Sequence, residues 1–127
     1  MRCLSVRQPW AHLIVNGPKD VENRIWAPTY RGPLLIHAGL TLHADALDYL
    51  RRWHRIEVDP SELQFGVILG AVDLIDCRKK RTSQWHQRGY FGWYLENPRR
   101  LRTPIPYKGR LKLFDVPDRL LPKSWRP

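Results

Sequence analysis

Apolar and polar residues alternate through "RCLSVR" (2–7), which places Leu4 and Val6 on one face of a short strand and Cys3, Ser5 and Arg7 on the other. The period then changes. Pro9 opens a helix with the apolar stripe Trp10, Leu13 and Ile14, and "NGP" at 16–18 stops it with Gly at the helix end and Pro just beyond. "KDVENRIW" (19–26) predicts a strand with Val21, Asn23 and Ile25 on one side and Asp20, Glu22, Arg24 and Trp26 on the other. The near-continuous apolar run "LLIHA" (34–38) predicts a strand covered on both faces. Thr41 reads as the cap of a second helix, with Leu42, Ala46, Tyr49, Leu50 and Trp53 along one side.

"VDPSEL" (58–63) predicts a Pro-initiated turn or short helix. "FGVILGAVDLIDC" (65–77) is the longest apolar run, and Gly70 within it marks a bulge or bend. A basic loop, "RKKRTSQWHQRG" (78–89), separates it from the strand "YFGWYLENP" (90–98), and "LRTPIPYKGRLKLFDVP" (101–117) predicts a strand pair broken by Pro and Gly. There is no internal repeat and no linker-like stretch. The 127 residues therefore predict one α+β domain over 1–127, a strongly bent sheet or small β-barrel with flanking helices.

Charge narrows the choice of partner. Lys and Arg number 22 against 12 Asp and Glu, a formal net charge of +10, and the isoelectric point is about 10.2. This is the electrostatic footprint of a protein that meets an anionic polymer. Cys3 and Cys77 sit in strand-like runs without metal-type or paired spacing, so they read as thiols in a reducing compartment. The first ten residues lack the apolar stretch of a signal peptide, and no segment approaches the ~20 apolar residues of a membrane helix, so a cytoplasmic protein is expected.

"GPKDVENR" (17–24) concentrates charge between two apolar runs. On a strand, Glu22 and Arg24 share a face, and Lys19 stands at its entrance directly after the helix stop. Lys19 is a compact cation for a phosphate, Glu22 an acceptor or general base, and Arg24 a planar fork for a phosphate or a base edge. The bland reading is a solvated face with an ion pair worth about 0–1 kcal/mol.

The segments "LSVRQPWA", "NGPKDVENRIW", "YRGPLLIHA", "GAVDLIDC" and "GWYLENP" together resemble the ASCH domain family of the PUA-like superfamily. Gly17, Lys19, Glu22 and Arg24 reproduce the family's G-x-K-x-x-E-x-R signature. The resemblance implies a PUA-like, barrel-like fold with a cleft beside the signature. It also implies a partner that is RNA or a nucleotide, modified bases included. Gln8, Trp10, Lys19, Glu22, Arg24, Trp26, His37, Trp93 and Asn97 are then the candidate ligand-binding residues. Tryptophan can stack on a base, while Trp10 and Trp53 fit helical core stripes equally well.

His37 would orient Glu22 or touch a ligand, or else be a core histidine bonded to a carbonyl. Asn97 has an amide suited to a base edge but stands before Pro98, as turn residues do. Asp73, an acid in an apolar run, needs a partner such as Arg7 or Arg24. Arg78, Lys79, Lys80 and Arg81 form a basic track with Trp85 and His86 following it.

The alternative from another class is a hydrolase acting on RNA or a modified nucleoside, with Lys19 and Glu22 handling the proton. Amide-cleaving members of the family carry a nucleophilic Thr where this chain has Glu22, which removes that route but leaves a carboxylate to activate water. A third reading is a protein-interaction module with a vestigial cleft. No cofactor and no metal are expected.

Overall fold

The computed structural model describes residues 1–126. Six strands form one sheet: β1 (Arg2–Gln8), β2 (Val21–Arg24), β3 (Gly32–Leu42), β4 (Val67–Arg78), β5 (Phe91–Pro106) and β6 (Leu113–Asp115). Helix α1 (Trp10–Asn16) follows β1, and helix α2 (Ala44–Tyr49) runs on into a π turn, Leu50–His54. The hydrogen-bonded order is β2-β5-β4-β3-β1-β6. The order is open: backbone pairing does not close the sheet into the expected barrel. No helix among the described residues is long and apolar enough to cross a membrane.

Strands β1 and β3 are parallel, with Cys3 opposite Leu35 and Ser5 opposite His37. Parallel neighbours need a crossover, and α1 with β2 supplies it. One face of the sheet buries Leu4, Val6, Leu34, Ile36, Val72, Leu74, Trp93 and Leu95, to which α1 adds Ala11, Ile14 and Val15. The other buries Cys3, Leu35, Ile68, Ala71 and Phe114, covered from the carboxyl end by Val116 and Leu121. "LLIHA" is accordingly buried on both faces, as its unbroken apolarity predicts.

Several local expectations change. Thr41 lies inside β3, and His43 precedes α2, so Thr41 caps nothing. Leu42 ends β3 and is exposed, and Trp53 is 71% exposed because the wider π turn rotates it off the stripe that Ala46 and Leu50 continue. Residues 91–98 and 101–106 belong to a single strand, β5, and Tyr90 precedes it. Pro98 is accommodated because Asn97 and Pro98 together oppose only Val72, between the pairs Asp73–Glu96 and Ala71–Arg99. In such a bulge the missing N–H of Pro removes no ladder bond. The expected carboxyl-terminal strand pair does not form: β6 pairs antiparallel with β1 instead.

Gly70 sits where the β4–β5 register shifts, as the sequence suggests. A Cβ there would lie 2.2 Å from the Arg99 carbonyl oxygen, a backbone atom that cannot swing away. Gly70→Ala is therefore expected to lower the unfolding free energy by about 1–3 kcal/mol through overpacking. Urea unfolding measures this, and an unchanged midpoint would contradict the close approach.

Candidate functional site

Gly17, at φ +76°, ends α1 in a conformation that favours glycine, and the Lys19 N–H returns to the Leu13 carbonyl. The chain then enters β2, which pairs antiparallel with β5, Glu22 opposite Trp93 and Arg24 opposite Phe91. Val21, opposite Tyr94, packs with Leu13, Leu50 and Trp85. Glu22 and Arg24 face the other way, on the side of the core residue Trp93.

There the charges converge. Lys19 Nζ lies 3.2 Å from Glu22 Oε1 and also donates to the Val21 carbonyl. Arg24 Nε donates to Glu22 Oε2 at 3.0 Å, and its Nη2 donates to the Ser5 carbonyl at 2.9 Å. The side chains of Lys19, Glu22 and Arg24 are 5%, 11% and 26% exposed. This is a buried network, not the solvated face with a weak pair. It also spans the opening of the sheet, because three strands lie between β2 and β1 in the pairing order.

A cavity of about 510 Å³ opens beside the network. Lys19, Glu22 and Arg24 line it, and so do Ser5, Val6 and Arg7 of β1. Trp10, Trp26, Trp85, Tyr49 and Tyr90 supply its aromatic walls, with His43, Asn23, Ile25 and Gln87 between them. Each of the three tryptophans is held by a neighbouring ring. Trp10 Nε1 donates to His43 Nδ1 at 3.1 Å, and the Trp10 ring meets Tyr49 edge-on. Because the indole can only donate, His43 Nδ1 is the acceptor of this bond. Trp85 stacks on His54 at 4.0 Å, and Trp26 meets Trp93 edge-on at 4.9 Å.

The remaining polar residues of "GPKDVENR" dock the wall that carries Trp85. Asp20 accepts from Ser83 Oγ at 2.6 Å. Asn23 donates to the Trp85 carbonyl and accepts from the Gln87 N–H, at 2.9 and 2.8 Å. Residues 19–24 therefore present Lys19, Glu22 and Arg24 to the cavity and use Asp20 and Asn23 to hold the loop that carries Trp85.

Of the residues named from sequence, Trp10, Lys19, Glu22, Arg24 and Trp26 line the cavity; Gln8, His37, Trp93 and Asn97 do not. Gln8 is buried, donating to the Gln64 carbonyl and accepting from the His12 N–H at the start of α1. Trp93 is fully buried, its Nε1 bonded to the Trp26 carbonyl. Asn97 reaches Asp73 instead, and Asp73 pairs with Arg99 at 3.1 Å rather than with Arg7 or Arg24.

His37 is a buried histidine bonded to a carbonyl. Its Nε2 stands 2.6 Å from the Tyr107 oxygen and its Nδ1 2.9 Å from Ser5 Oγ. The carbonyl needs a donor, so Nε2 carries the proton and Nδ1 accepts from Ser5. Burial holds the His37 pKa below the usual 6.5.

None of Arg78, Lys79, Lys80 and Arg81 lines the cavity. Arg78 is held by Asp76 and lies over the Tyr94 ring, and Arg81 donates to the His86 carbonyl. The loop contributes through its far end, at Trp85, Gln87 and Tyr90. Arg7, Ser5, His43 and Tyr49 also escaped the sequence reading as site residues. Only the alternation that puts Ser5 and Arg7 on one face of β1 hinted at two of them.

Burial pushes the Cys3 thiol up to about 12, and both cysteines are free. Among the described residues, no three His, Cys, Asp or Glu side chains gather as a metal site requires.

Lys19, Glu22 and Arg24 thus lie beside a cavity of an α+β fold with an open sheet. The family model described as "ASCH domain" matches residues 4–105, and the chain belongs to that family. Among curated proteins it is similar to Activating signal cointegrator 1 of Mus musculus, 32% identical over 131 residues. It is likewise similar to Activating signal cointegrator 1 of Homo sapiens, 33% identical over 132 residues. Each match covers 93% of this chain and 22% of the relative, so the chain spans under a quarter of the length of these proteins.

The Glu22 network yields a stability prediction. Removing a buried carboxylate strands two cations, so Glu22→Ala is expected to cost about 3–5 kcal/mol of unfolding free energy, measured by denaturant titration. A loss below about 1 kcal/mol would mean that the pair behaves as an exposed one.

Proposed function

We propose that this ASCH domain, over residues 1–127, binds RNA or a nucleotide derived from it, by taking one base, modified bases included, into the cavity at the sheet's mouth. The observation that carries the reading is the juxtaposition of three backed tryptophans with a hydrogen-bonding network. Aromatic faces hold an unstacked base, and polar groups at the edge read it. A volume of about 510 Å³ lies within the usual range for small-ligand sites. The net charge of +10 supports a phosphate-bearing partner, and the free thiols of Cys3 and Cys77 fit the reducing cytoplasm.

The hydrolase reading is less well supported. Both oxygens of Glu22 already accept from cations, Oε1 from Lys19 and Oε2 from Arg24, which leaves the carboxylate poorly placed to activate water. His37 offers its one free acceptor to Ser5 rather than to Glu22. Lys19 and Glu22 are therefore read as positioning and recognition groups. Incubation with short RNAs or acetylated cytidine, with and without a divalent metal, is expected to give no product. Product that disappears in Glu22→Gln would favour the hydrolase instead.

Trp26 provides the direct test of binding, because leucine preserves apolar bulk without a stacking face. Binding of short single-stranded RNA, followed by fluorescence anisotropy, is expected to weaken by about 1–3 kcal/mol in Trp26→Leu and likewise in Trp10→Leu. Unchanged affinity in both variants, with folding verified by thermal melts, would place the binding surface elsewhere.

A further inference from the structure

Arg7 lines the same cavity from β1, on the strand face it shares with Ser5. It is exposed and, among the described residues, forms no ion pair. The other two cations in the cavity are already committed to Glu22, and Arg24 is further committed to the Ser5 carbonyl. Three cations, Arg7, Lys19 and Arg24, thus face one carboxylate, Glu22, which leaves the cavity a formal charge of +2. A neutral nucleoside would leave the Arg7 fork unused.

We infer that Arg7 is a phosphate-binding residue and that the cavity takes a nucleoside monophosphate unit, with the base among the tryptophans and the phosphate on the Arg7 guanidinium. This rests on the reading of the cavity as a base-binding site and adds the chemistry of its second half. Arginine presents paired N–H donors that match two phosphate oxygens at once, which a lysine cannot do. The spacing is suitable. Arg7 lies two strand residues beyond the Ser5 carbonyl that anchors Arg24, roughly 7 Å along β1. A ribose phosphate is an arm long enough to cover an offset of that size from a base held beside Arg24. No acidic side chain besides Glu22 lines the cavity to repel the anion.

Calorimetric titration of the whole chain with the four ribonucleosides and their 5′- and 3′-monophosphates tests the inference. At least one monophosphate is expected to bind about ten- to a hundredfold more tightly than its nucleoside, the range of a charge-assisted contact. Arg7→Ala is expected to abolish that advantage, and Arg7→Lys to restore part of it. Lys123→Ala removes the same charge from an exposed site outside the cavity and controls for general electrostatics. A trinucleotide lacking terminal phosphates distinguishes the source. If its affinity depends on Arg7, the phosphate belongs to a chain; if only the monophosphates depend on Arg7, it belongs to a free nucleotide.

Nucleosides and monophosphates that bind equally, an advantage that survives Arg7→Ala, or an equal loss in Lys123→Ala would each overturn the role of Arg7 while leaving the base-binding cavity in place. If no nucleoside, nucleotide or trinucleotide binds at all, the cavity reading and this inference fail together.

Discussion

A single carboxylate organises the mouth of this protein. Glu22 divides its two oxygens between Lys19 and Arg24, and Arg24 continues to the Ser5 carbonyl on the far side of the gap. The sheet is open in its backbone pairing, so this side-chain bridge ties β2 to β1. Buried charges of this kind seldom add net stability over an apolar plug, yet breaking one partner of such a network is costly. The network sets charged groups among the aromatic walls of the mouth. That is what makes a cavity here rather than a continuation of the core.

The surrounding elements follow from the need to keep the network oriented. Asp20 and Asn23 fasten the loop that carries Trp85, and His54 backs the ring of Trp85. His43 fixes Trp10 from the start of α2. These supports come from segments far apart in the chain, and each satisfies its own polar atoms while placing an aromatic face. No buried side-chain nitrogen or oxygen among the described residues is left without a partner. Aromatic walls whose supports are already satisfied are preorganised.

Local pattern made much of this legible. The two-residue period placed Glu22 and Arg24 on one face, Gly17 marked the end of α1, and the unbroken run at 34–38 announced a strand covered on both sides. What the pattern missed was set by non-local pairing. Asn97 and Pro98 read as a strand end because nothing local says that they share a bulge opposite Val72. Trp53 fitted a helical stripe until the π turn displaced it. His37 is adjacent to Ser5 through the parallel β1–β3 register, and their contact could not be placed before that register was known. Arg7 looked like ordinary strand alternation, since its freedom from acidic partners is a property of the folded neighbourhood.

Six tryptophans give the central claim a direct readout, because each indole N–H has its own nuclear magnetic resonance signal. On titration with a short single-stranded RNA, the account predicts that the indole signals of Trp10, Trp26 and Trp85 move together. Trp53, exposed beyond α2, and Trp125, near the carboxyl end, should stay in place, since neither lines the cavity. Shifts at Trp53 or Trp125, with the three cavity indoles stationary, would contradict a base-binding site at the mouth of the sheet.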